Sequence, residues 1–186
     1  MELPSDLPVP VDDGAAAHVR GMKMPPVTLA STGGRQIDVG ALGPARTVLY
    51  LYPRTGRPDR EVPPDWDAIP GARGCTPESC GFRDHFRELK GLGAGVFGLS
   101  TQDTEYQREA AERLKLPFEL LSDVDFRLTD ALRLPTFDFQ GVRLLKRLTM
   151  VVRDGAIEHV FYPVFPPDRH AEQVVAWLSE HSGIRA

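Results

Sequence analysis

Residues 74–86 read GCTPESCGFRDHF and contain Cys75 and Cys80, the only two cysteines of the 186-residue chain. Pro77 suits the first turn of a helix, where a missing backbone N–H costs no hydrogen bond. Apolar residues then recur with the i, i+4, i+7 spacing of an amphipathic helix, at Phe82, Phe86 and Leu89. This stretch therefore predicts a helix that begins close to Cys75.

Strands are predicted on both sides of this helix. The run 46–52, RTVLYLY, is continuous, apolar and β-favouring, which is typical of a buried central strand, and 94–100 is a second run of this kind. Asp154-Gly155 is a strong hairpin turn and separates two further predicted strands, at 146–153 and 156–162. One short strand and three helices complete the prediction, at 118–121, 104–114, 125–131 and from residue 168 onward.

Strands that alternate with helices and end in a hairpin and a final helix predict an α/β fold built on a mixed sheet. The crossover rule places the helix after Cys75 across one face of that sheet, with its start at the carboxyl edge of strand 46–52. Chemistry in α/β folds is usually located at that edge. The predicted position therefore favours a functional Cys75.

The chain divides into a leader, a domain and an inserted loop. Residues 1–24 carry little hydrophobic pattern and are predicted to form a loosely held N-terminal leader, and 25–183 a single domain. The domain opens with 27–39, VTLASTGGRQIDV, which predicts an N-terminal β-hairpin around two glycines. Residues 55–74 contain four prolines and three glycines, so we expect a long loop of a kind that is usually functional or disordered.

The composition excludes several classes of partner. Hydrophobic residues make up 41% and charged residues 26% of the chain, which is ordinary for a soluble globular protein. The net charge of −4 argues against nucleic acid or an anionic membrane as the main partner. No apolar run approaches the roughly 20 residues of a membrane span, and the N-terminus lacks the features of a secretory signal. We therefore expect a cytoplasmic protein that binds neither nucleic acid nor membrane.

In a reducing compartment, a lone cysteine pair is more often catalytic, redox-sensing or metal-binding than permanently disulfide-bonded. Structural zinc needs four nitrogen or sulfur ligands, and the sequence offers no second cysteine pair or spaced histidine pair, so no metal is expected. On one continuous helix, Cys75 and Cys80 would be separated by a rise of about 7.5 Å, against a limit of roughly 7 Å for bridged Cα atoms. A disulfide could close only if the first turn unwound, which suits a transient redox state.

Each thiol could also be a buried apolar side chain or a reactive thiolate. Cysteine often serves as a small buried apolar residue, and this applies more to Cys80, at the start of an apolar helical face, than to Cys75. At Cys75 the unpaired N–H groups and the helix dipole favour a thiolate. Ionisation alone raises the thiolate fraction at most about thirtyfold above its value of about 3% at pH 7. Fast thiol chemistry therefore also needs donors that orient a substrate and stabilise charge on its leaving atom.

The segment GCTPESCGFRD resembles the active-site segment of peroxiredoxins, specifically of the bacterioferritin-comigratory (PrxQ-like) subfamily. The resemblance covers about residues 27–180 and continues at 49–53, 98–100, 116–123 and 147–155. It implies a thioredoxin-like mixed sheet flanked by helices, and thiol-dependent reduction of hydrogen peroxide and organic hydroperoxides. It implies no metal, haem, flavin or nicotinamide cofactor, and it suggests a monomer.

By this resemblance, Cys75 is the peroxidatic cysteine, which peroxide oxidises to a sulfenic acid. Cys80 occupies the resolving position and would condense with the sulfenic acid to give an intrachain disulfide. A thioredoxin-type reductant would then restore both thiols. The turn 75–80 is accordingly expected to be helical when reduced and unwound when oxidised.

The resemblance also assigns residues around the thiol. Arg147 matches the family arginine that positions the peroxide and favours the thiolate, and strand alternation places it on the face of Thr149. Glu78 matches the acidic residue three places after the peroxidatic cysteine, although an acid is favourable in any first helical turn. Pro53 fits the proline that opens the family's active-site loop.

One departure from the family concerns a hydroxyl group. The family loop runs Pro-x-x-x-Thr-x-x-Cys, and its Thr contacts the thiolate and the peroxide, but the position three before Cys75 is Ala72. Thr55 is the candidate to supply the hydroxyl in its place. The inserted loop with Trp66 could act as a lid, limit substrate size, dock a reductant, or simply pack on the domain. The missing Thr supports an alternative function, a redox sensor or thiol–disulfide exchanger with little peroxidase turnover.

Overall fold

A seven-stranded mixed sheet forms the centre of the computed structural model, which describes residues 3–182. Within these residues the strands are β1 (Thr28–Ser31), β2 (Gln36–Asp38), β3 (Arg46–Leu51), β4 (Ala94–Ser100), β5 (Leu120–Ser122), β6 (Thr136–Phe139), β7 (Val142–Leu145), β8 (Leu148–Arg153) and β9 (Ala156–Phe161). Their order across the sheet is β2-β1-β5-β4-β3-β8-β9, and β6 and β7 form a separate hairpin. β3, β4 and β5 are parallel, whereas the other pairings are antiparallel.

The helices are α1 (Cys75–Asp84), α2 (Phe86–Gly91), α3 (Thr104–Leu114), α4 (Arg127–Ala131) and α5 (His170–Glu180). The backbone of His85 leaves the helical conformation, so the predicted helix after Cys75 is divided into α1 and α2. Together these two helices connect the parallel strands β3 and β4, and α1 starts beyond the carboxyl end of β3, as the sequence predicts. Among residues 3–182, no helix is long and apolar enough to cross a bilayer.

Two hydrophobic cores lie on opposite faces of the sheet, and β3 contributes to both. Val48 and Tyr50 point into the core beneath α1, α2 and α5, whereas Leu49 and Leu51 point into the core on the other face. All four are completely buried, and burial of a side chain of this size stabilises the fold by roughly 1.5–3 kcal/mol. Burial on both faces explains why this strand shows no polar alternation.

The predicted α/β fold with a mixed sheet is confirmed, and so is the N-terminal hairpin, in which Thr28 pairs with Asp38. The β6–β7 hairpin is an addition that the sequence pattern did not predict. Its turn consists of Gln140 and Gly141, both with positive φ (50° and 78°), the conformation that tight hairpins require.

The segment before residue 25 is not loosely held, and this corrects the expectation for the leader. Val19 is completely buried in the core, and the backbone N–H of Gly21 donates to the carbonyl of Ile157 at 2.8 Å. The backbone N–H of Ile157 donates to the carbonyl of Met22. The segment thus covers the free edge of β9, whose backbone groups would otherwise lack partners. Residues 1–2 and 183, at the ends of the predicted leader and domain, lie outside the described residues.

Candidate active site

Cys75 is the first residue of α1 and is only 4% exposed. Gly74, which precedes it, has a φ of 107°, and a Cβ at this position would collide with Pro167. Both facts restrict the position to glycine. The thiol is therefore held at a fixed point, at the N-terminus of the helix and beyond the carboxyl end of β3.

Arg147 is the residue that joins the two sides of the site. It precedes β8, its side chain is 1% exposed, and its Nη2 lies 3.2 Å from Sγ of Cys75. Its Nη1 donates to Oε2 of Glu78, one helical turn after the thiol. A single guanidinium thus contacts both acidic groups on this face of α1, and the structure brings together the three residues that the sequence predicts.

The end of the inserted loop closes around the same guanidinium. Arg147 donates through Nε to the carbonyl of Gly71 at 3.3 Å, and through Nη2 to the carbonyls of Ala72 and Arg73 at 3.1 and 3.2 Å. The thiol of Cys75 in turn lies 3.7 Å from the carbonyl of Ala72, to which it donates. At Ala72, where the resemblance leads us to expect a Thr, only the backbone carbonyl contacts the site, and there is no hydroxyl.

Burial dominates the electrostatics of the thiol. It raises the pKa of Cys75, and the charge of Arg147 and the backbone N–H of Arg54 only partly oppose this effect. The nearby Glu78 raises the pKa of Cys75 further. Burial in this closed arrangement therefore opposes the thiolate that the helix N-terminus favours.

Glu78 is completely buried. Burial raises its pKa to about 7, although Arg147 pulls in the opposite direction. Only one of its oxygens is used: Oε1 has no hydrogen-bond partner within the described part of the chain. A buried carboxyl with one free oxygen and a pKa near neutrality can hold a proton or release it at physiological pH.

Cys80 is half-buried on the same helix, and both cysteines are free thiols. The helical turn between them agrees with the form expected for the reduced protein. No group of three or more His, Cys, Asp or Glu residues able to hold a metal ion occurs in residues 3–182.

Thr55 is held by hydrogen bonds to Gln102 and Tyr106. Its hydroxyl and its backbone N–H both donate to Oε1 of Gln102, at 3.3 and 3.0 Å, and its carbonyl accepts from Nε2 of Gln102 and from the hydroxyl of Tyr106. The hydroxyl of Thr55 is therefore directed to Gln102 and not to Cys75. Gln102 was missed by the sequence reasoning, although its position just after β4, at the carboxyl edge of the sheet, is the available indication. Pro53 is buried where the chain leaves β3.

Trp66 fixes the middle of the inserted loop to the β6–β7 hairpin. It is 5% exposed, and its ring centroid lies 5.0 Å from that of Phe139 in an edge-to-face arrangement. The guanidinium of Arg54 stacks over the indole at 4.3 Å. Of the roles considered for this loop, packing of Trp66 on the domain is the one that the structure shows.

A second polar pair lies on the same sheet face as Arg147. His170, at the start of α5, is completely buried, and its Nε2 lies 2.8 Å from the hydroxyl of Thr149, which shares a face with Arg147 as predicted. Its Nδ1 lies 3.1 Å from Oε1 of Gln173. Burial lowers the pKa of His170 to about 4, so this ring is neutral at physiological pH.

Comparison with known proteins places the chain in a family. The redoxin family model matches residues 20–175. Peroxiredoxin Bcp of Escherichia coli is 31% identical over 85% of this chain and 94% of its own length, and the chloroplastic peroxiredoxin Q of Sedum lineare is 28% identical over 88% and 79%. The crystal structure of peroxidoxin BcpB from Mycobacterium tuberculosis superposes with a TM-score of 0.71 at 26% identity, covering 90% of this chain and 98% of that one.

These matches cover most of the chain, and the residues matched by the redoxin model include Cys75, Glu78 and Arg147. The fold agrees as well, since the solved structure has the same arrangement at a TM-score well above the level of chance similarity. The chain belongs to the redoxin family and, within it, to the PrxQ-like bacterioferritin-comigratory peroxiredoxins, which are thiol-dependent peroxidases.

Proposed function

We propose that Cys75 is the peroxidatic cysteine, that Cys80 resolves its oxidised form, and that Arg147 orients the peroxide. The observation that carries this assignment is the 3.2 Å contact between Nη2 of Arg147 and Sγ of Cys75, at a buried helix N-terminus. A fixed guanidinium can hold the peroxide in line with the sulfur and stabilise charge on the leaving oxygen. Ionisation of the thiol alone would supply much less.

The first step of the proposed cycle is a two-electron reduction of the peroxide. The Cys75 thiolate attacks the terminal oxygen of ROOH, an S–O bond forms and the O–O bond breaks. The departing oxygen takes a proton and leaves as an alcohol, or as water if the substrate is hydrogen peroxide. The sulfur is left as a sulfenic acid.

In the second step, the Cys80 thiolate attacks the sulfenic sulfur of Cys75. An S–S bond forms and the S–O bond breaks, and the departing hydroxide takes up the proton that Cys80 lost and leaves as water. A thioredoxin-type dithiol then reduces this disulfide by thiol–disulfide exchange and becomes oxidised itself. Because both cysteines lie on α1, with about 7.5 Å of helical rise between them, the start of the helix must unwind before the bond can close.

Glu78, Pro53 and Thr55 are proposed to support the peroxide site. Glu78 holds Arg147 in place through its hydrogen bond. Pro53 forms part of the buried wall beyond β3, and Thr55 fixes the start of the inserted loop through Gln102. The hydroxyl of Thr55 would reach a peroxide only if its hydrogen bond to Gln102 broke.

The physiological setting is also part of the proposal. The substrates are hydrogen peroxide and organic hydroperoxides, the reductant is of the thioredoxin type, and the protein works as a cytoplasmic monomer. The net charge of −4 supports small-molecule substrates over nucleic acid. Sedimentation at working concentrations tests the monomer.

The test is peroxide consumption in the presence of thioredoxin, thioredoxin reductase and NADPH. Wild type should turn over, Cys75→Ser should be inactive, and Cys80→Ser should complete one oxidation without cycling. Sustained turnover by Cys75→Ser would overturn the assignment of the peroxidatic residue. Stoichiometric oxidation of wild type without turnover would instead support the redox sensor, which the buried thiol and the absent Thr at Ala72 favour.

A further inference from the structure

The thiol of Cys75 and the carboxyl of Glu78 compete for one positive charge. They lie three residues apart on the same face of α1, and both contact the guanidinium of Arg147, one through each terminal nitrogen. All three side chains are buried. A buried site of this kind strongly disfavours any net charge.

The other titratable groups packed around the cluster are neutral near pH 7. Burial raises the pKa of both Tyr50 and Tyr52, which approach from β3, and lowers that of His170 on α5. With Arg147 charged, the cluster is therefore electrically neutral when one of its two acids is ionised and the other holds a proton. Such a pair titrates as a unit, with one proton shared between two sites.

Moving that proton from the thiol to the carboxyl leaves the net charge of the buried cluster unchanged. Releasing it to solvent while Glu78 is ionised would leave a net negative charge in the buried site, and the proton would also have to pass the closed loop. The exchange is therefore the less costly route to a thiolate in this structure. Its raised pKa, about 7, makes Glu78 a suitable acceptor.

We propose that Glu78 is a proton-transfer residue of the peroxidase reaction: it accepts the proton of the Cys75 thiol and returns it to the oxygen that leaves the peroxide. This inference rests on the proposed role of Cys75. The oxygen that carries the proton is Oε1, which is buried and has no partner among the described residues, whereas Oε2 remains bonded to Arg147.

The step balances within the site. The carboxylate of Glu78 takes the thiol proton, the thiolate attacks ROOH, the S–O bond forms and the O–O bond breaks. The departing RO⁻ takes the proton from Glu78, which is again a carboxylate. The products are the sulfenic acid of Cys75, which keeps the hydrogen of the attacked oxygen, and ROH. The sulfur is oxidised and the peroxide reduced by two electrons, with no further reactant.

The experiment compares peroxides whose leaving groups differ in their need for a proton. Glu78→Gln keeps the size of the side chain and an oxygen that can accept from Arg147, but it cannot transfer a proton. Oxidation of Cys75 is followed by stopped flow in the Cys80→Ser background, with hydrogen peroxide, tert-butyl hydroperoxide and a peroxy acid. The peroxy acid releases a carboxylate, which is stable without protonation.

We expect Glu78→Gln to slow the reactions of hydrogen peroxide and tert-butyl hydroperoxide by roughly a hundredfold more than the peroxy acid reaction. All three oxidants need the thiol proton removed, but only the first two need a proton on the leaving oxygen. Asp84→Asn, an acid-to-amide change on an exposed residue of the same helix, is the matched control and should change none of the three rates. Equal slowing of all three peroxides, or no slowing of any, would overturn the proton-transfer role.

A measurement on the protein with Glu78 intact covers the case in which Glu78→Gln does not fold. The rate should fall more in heavy water with hydrogen peroxide than with the peroxy acid, because only with hydrogen peroxide does a proton also move to the leaving oxygen as the O–O bond breaks. Identical isotope effects for the two oxidants would contradict the proposal. If no peroxide oxidised Cys75 at all, the proposed function itself would fail, which is a different result from a loss of leaving-group discrimination.

Discussion

Nη2 of Arg147 lies 3.2 Å from Sγ of Cys75, although the two residues are 72 positions apart in the chain. The sheet register explains the contact. β8 runs antiparallel to β3 with Leu148 opposite Leu51, so the residue before β8 lies beside the point where the chain leaves β3. α1 starts at the same edge, and the thiol and the guanidinium meet there without any local sequence signal.

The first prediction concerns the shape of the Arg147 side chain. Arg147→Lys keeps the positive charge but has no planar fork, so one ammonium cannot contact the thiol, Glu78 and the loop carbonyls together. We expect the rate constant for oxidation of Cys75 by hydrogen peroxide to fall by about a hundredfold or more. Arg143→Lys, at a solvent-exposed ion pair with Asp130, is the control. A wild-type rate in Arg147→Lys would show that charge alone is sufficient.

The second prediction concerns the inserted loop. Trp66→Ala removes a nearly buried ring from its contacts with Phe139 and Arg54. We expect the free energy of unfolding in urea to fall by roughly 3 kcal/mol, with faster proteolysis within the loop. Val62→Ala, on a 44% exposed residue of the same loop, should change stability by no more than about 0.5 kcal/mol. Equal stability of Trp66→Ala and wild type would mean that this packing contributes nothing.

The third prediction is a pH dependence due to His170. Its pKa is about 4 in the folded protein and about 6.5 when exposed. Above pH 6.5 the ring is neutral in both states and has no effect. As the pH falls from 6.5 to 4, the unfolded chain gains a proton that the folded protein does not bind, and stability decreases by up to about 3 kcal/mol.

Urea unfolding of wild type and His170→Gln between pH 7 and 4 measures this contribution as a difference of slopes. The variant should be less stable at pH 7, because it loses the contact with Thr149, but it should lose less stability on acidification. Ser182→Ala, on an exposed residue after α5 that does not titrate, should retain the wild-type slope. Parallel pH profiles of wild type and His170→Gln would contradict the assignment.

Much of the fold could be predicted because its signals are local. The run that becomes β3 is apolar on both faces, and the glycines between β1 and β2 mark a turn, so strand and hairpin could both be predicted. The packing of the N-terminal segment cannot be predicted in this way, because it depends on contacts that are not local. Val19 and Gly21 are ordinary residues in the sequence, and their importance comes from the edge of β9 on which they lie.

In the candidate site, too, some features have local sequence signals and others depend on distant contacts. The motif and its resemblance to a family predict Cys75, Glu78 and Arg147 as site residues, and the geometry brings all three together. Neither the closure of the loop carbonyls on Arg147 nor the pairing of Thr55 with Gln102 could be predicted, because both depend on how an inserted segment folds back. Burial raises the pKa of the thiol in the folded protein, whereas a helix N-terminus considered alone favours a lower one.

The last prediction concerns the unwinding that a disulfide between Cys75 and Cys80 requires. The hydroxyl of Tyr50 donates to Oγ of Ser79 at 3.0 Å, and both residues are completely buried. This bond ties the middle of α1 to the central strand and must break when the turn unwinds. Tyr50→Phe removes this hydrogen bond. We therefore expect opening of the helix start to cost about 1 kcal/mol less and the disulfide to form about fivefold faster after one equivalent of peroxide.

The rate of disulfide formation can be followed by acid quench and mass spectrometry. Tyr52→Phe is a close control, because among the described residues, which include all of α1, the Tyr52 hydroxyl has no hydrogen-bond partner. If Tyr50→Phe formed the disulfide at the wild-type rate, release of α1 from β3 would not limit resolution, and the barrier would lie in the chemistry of the two sulfurs.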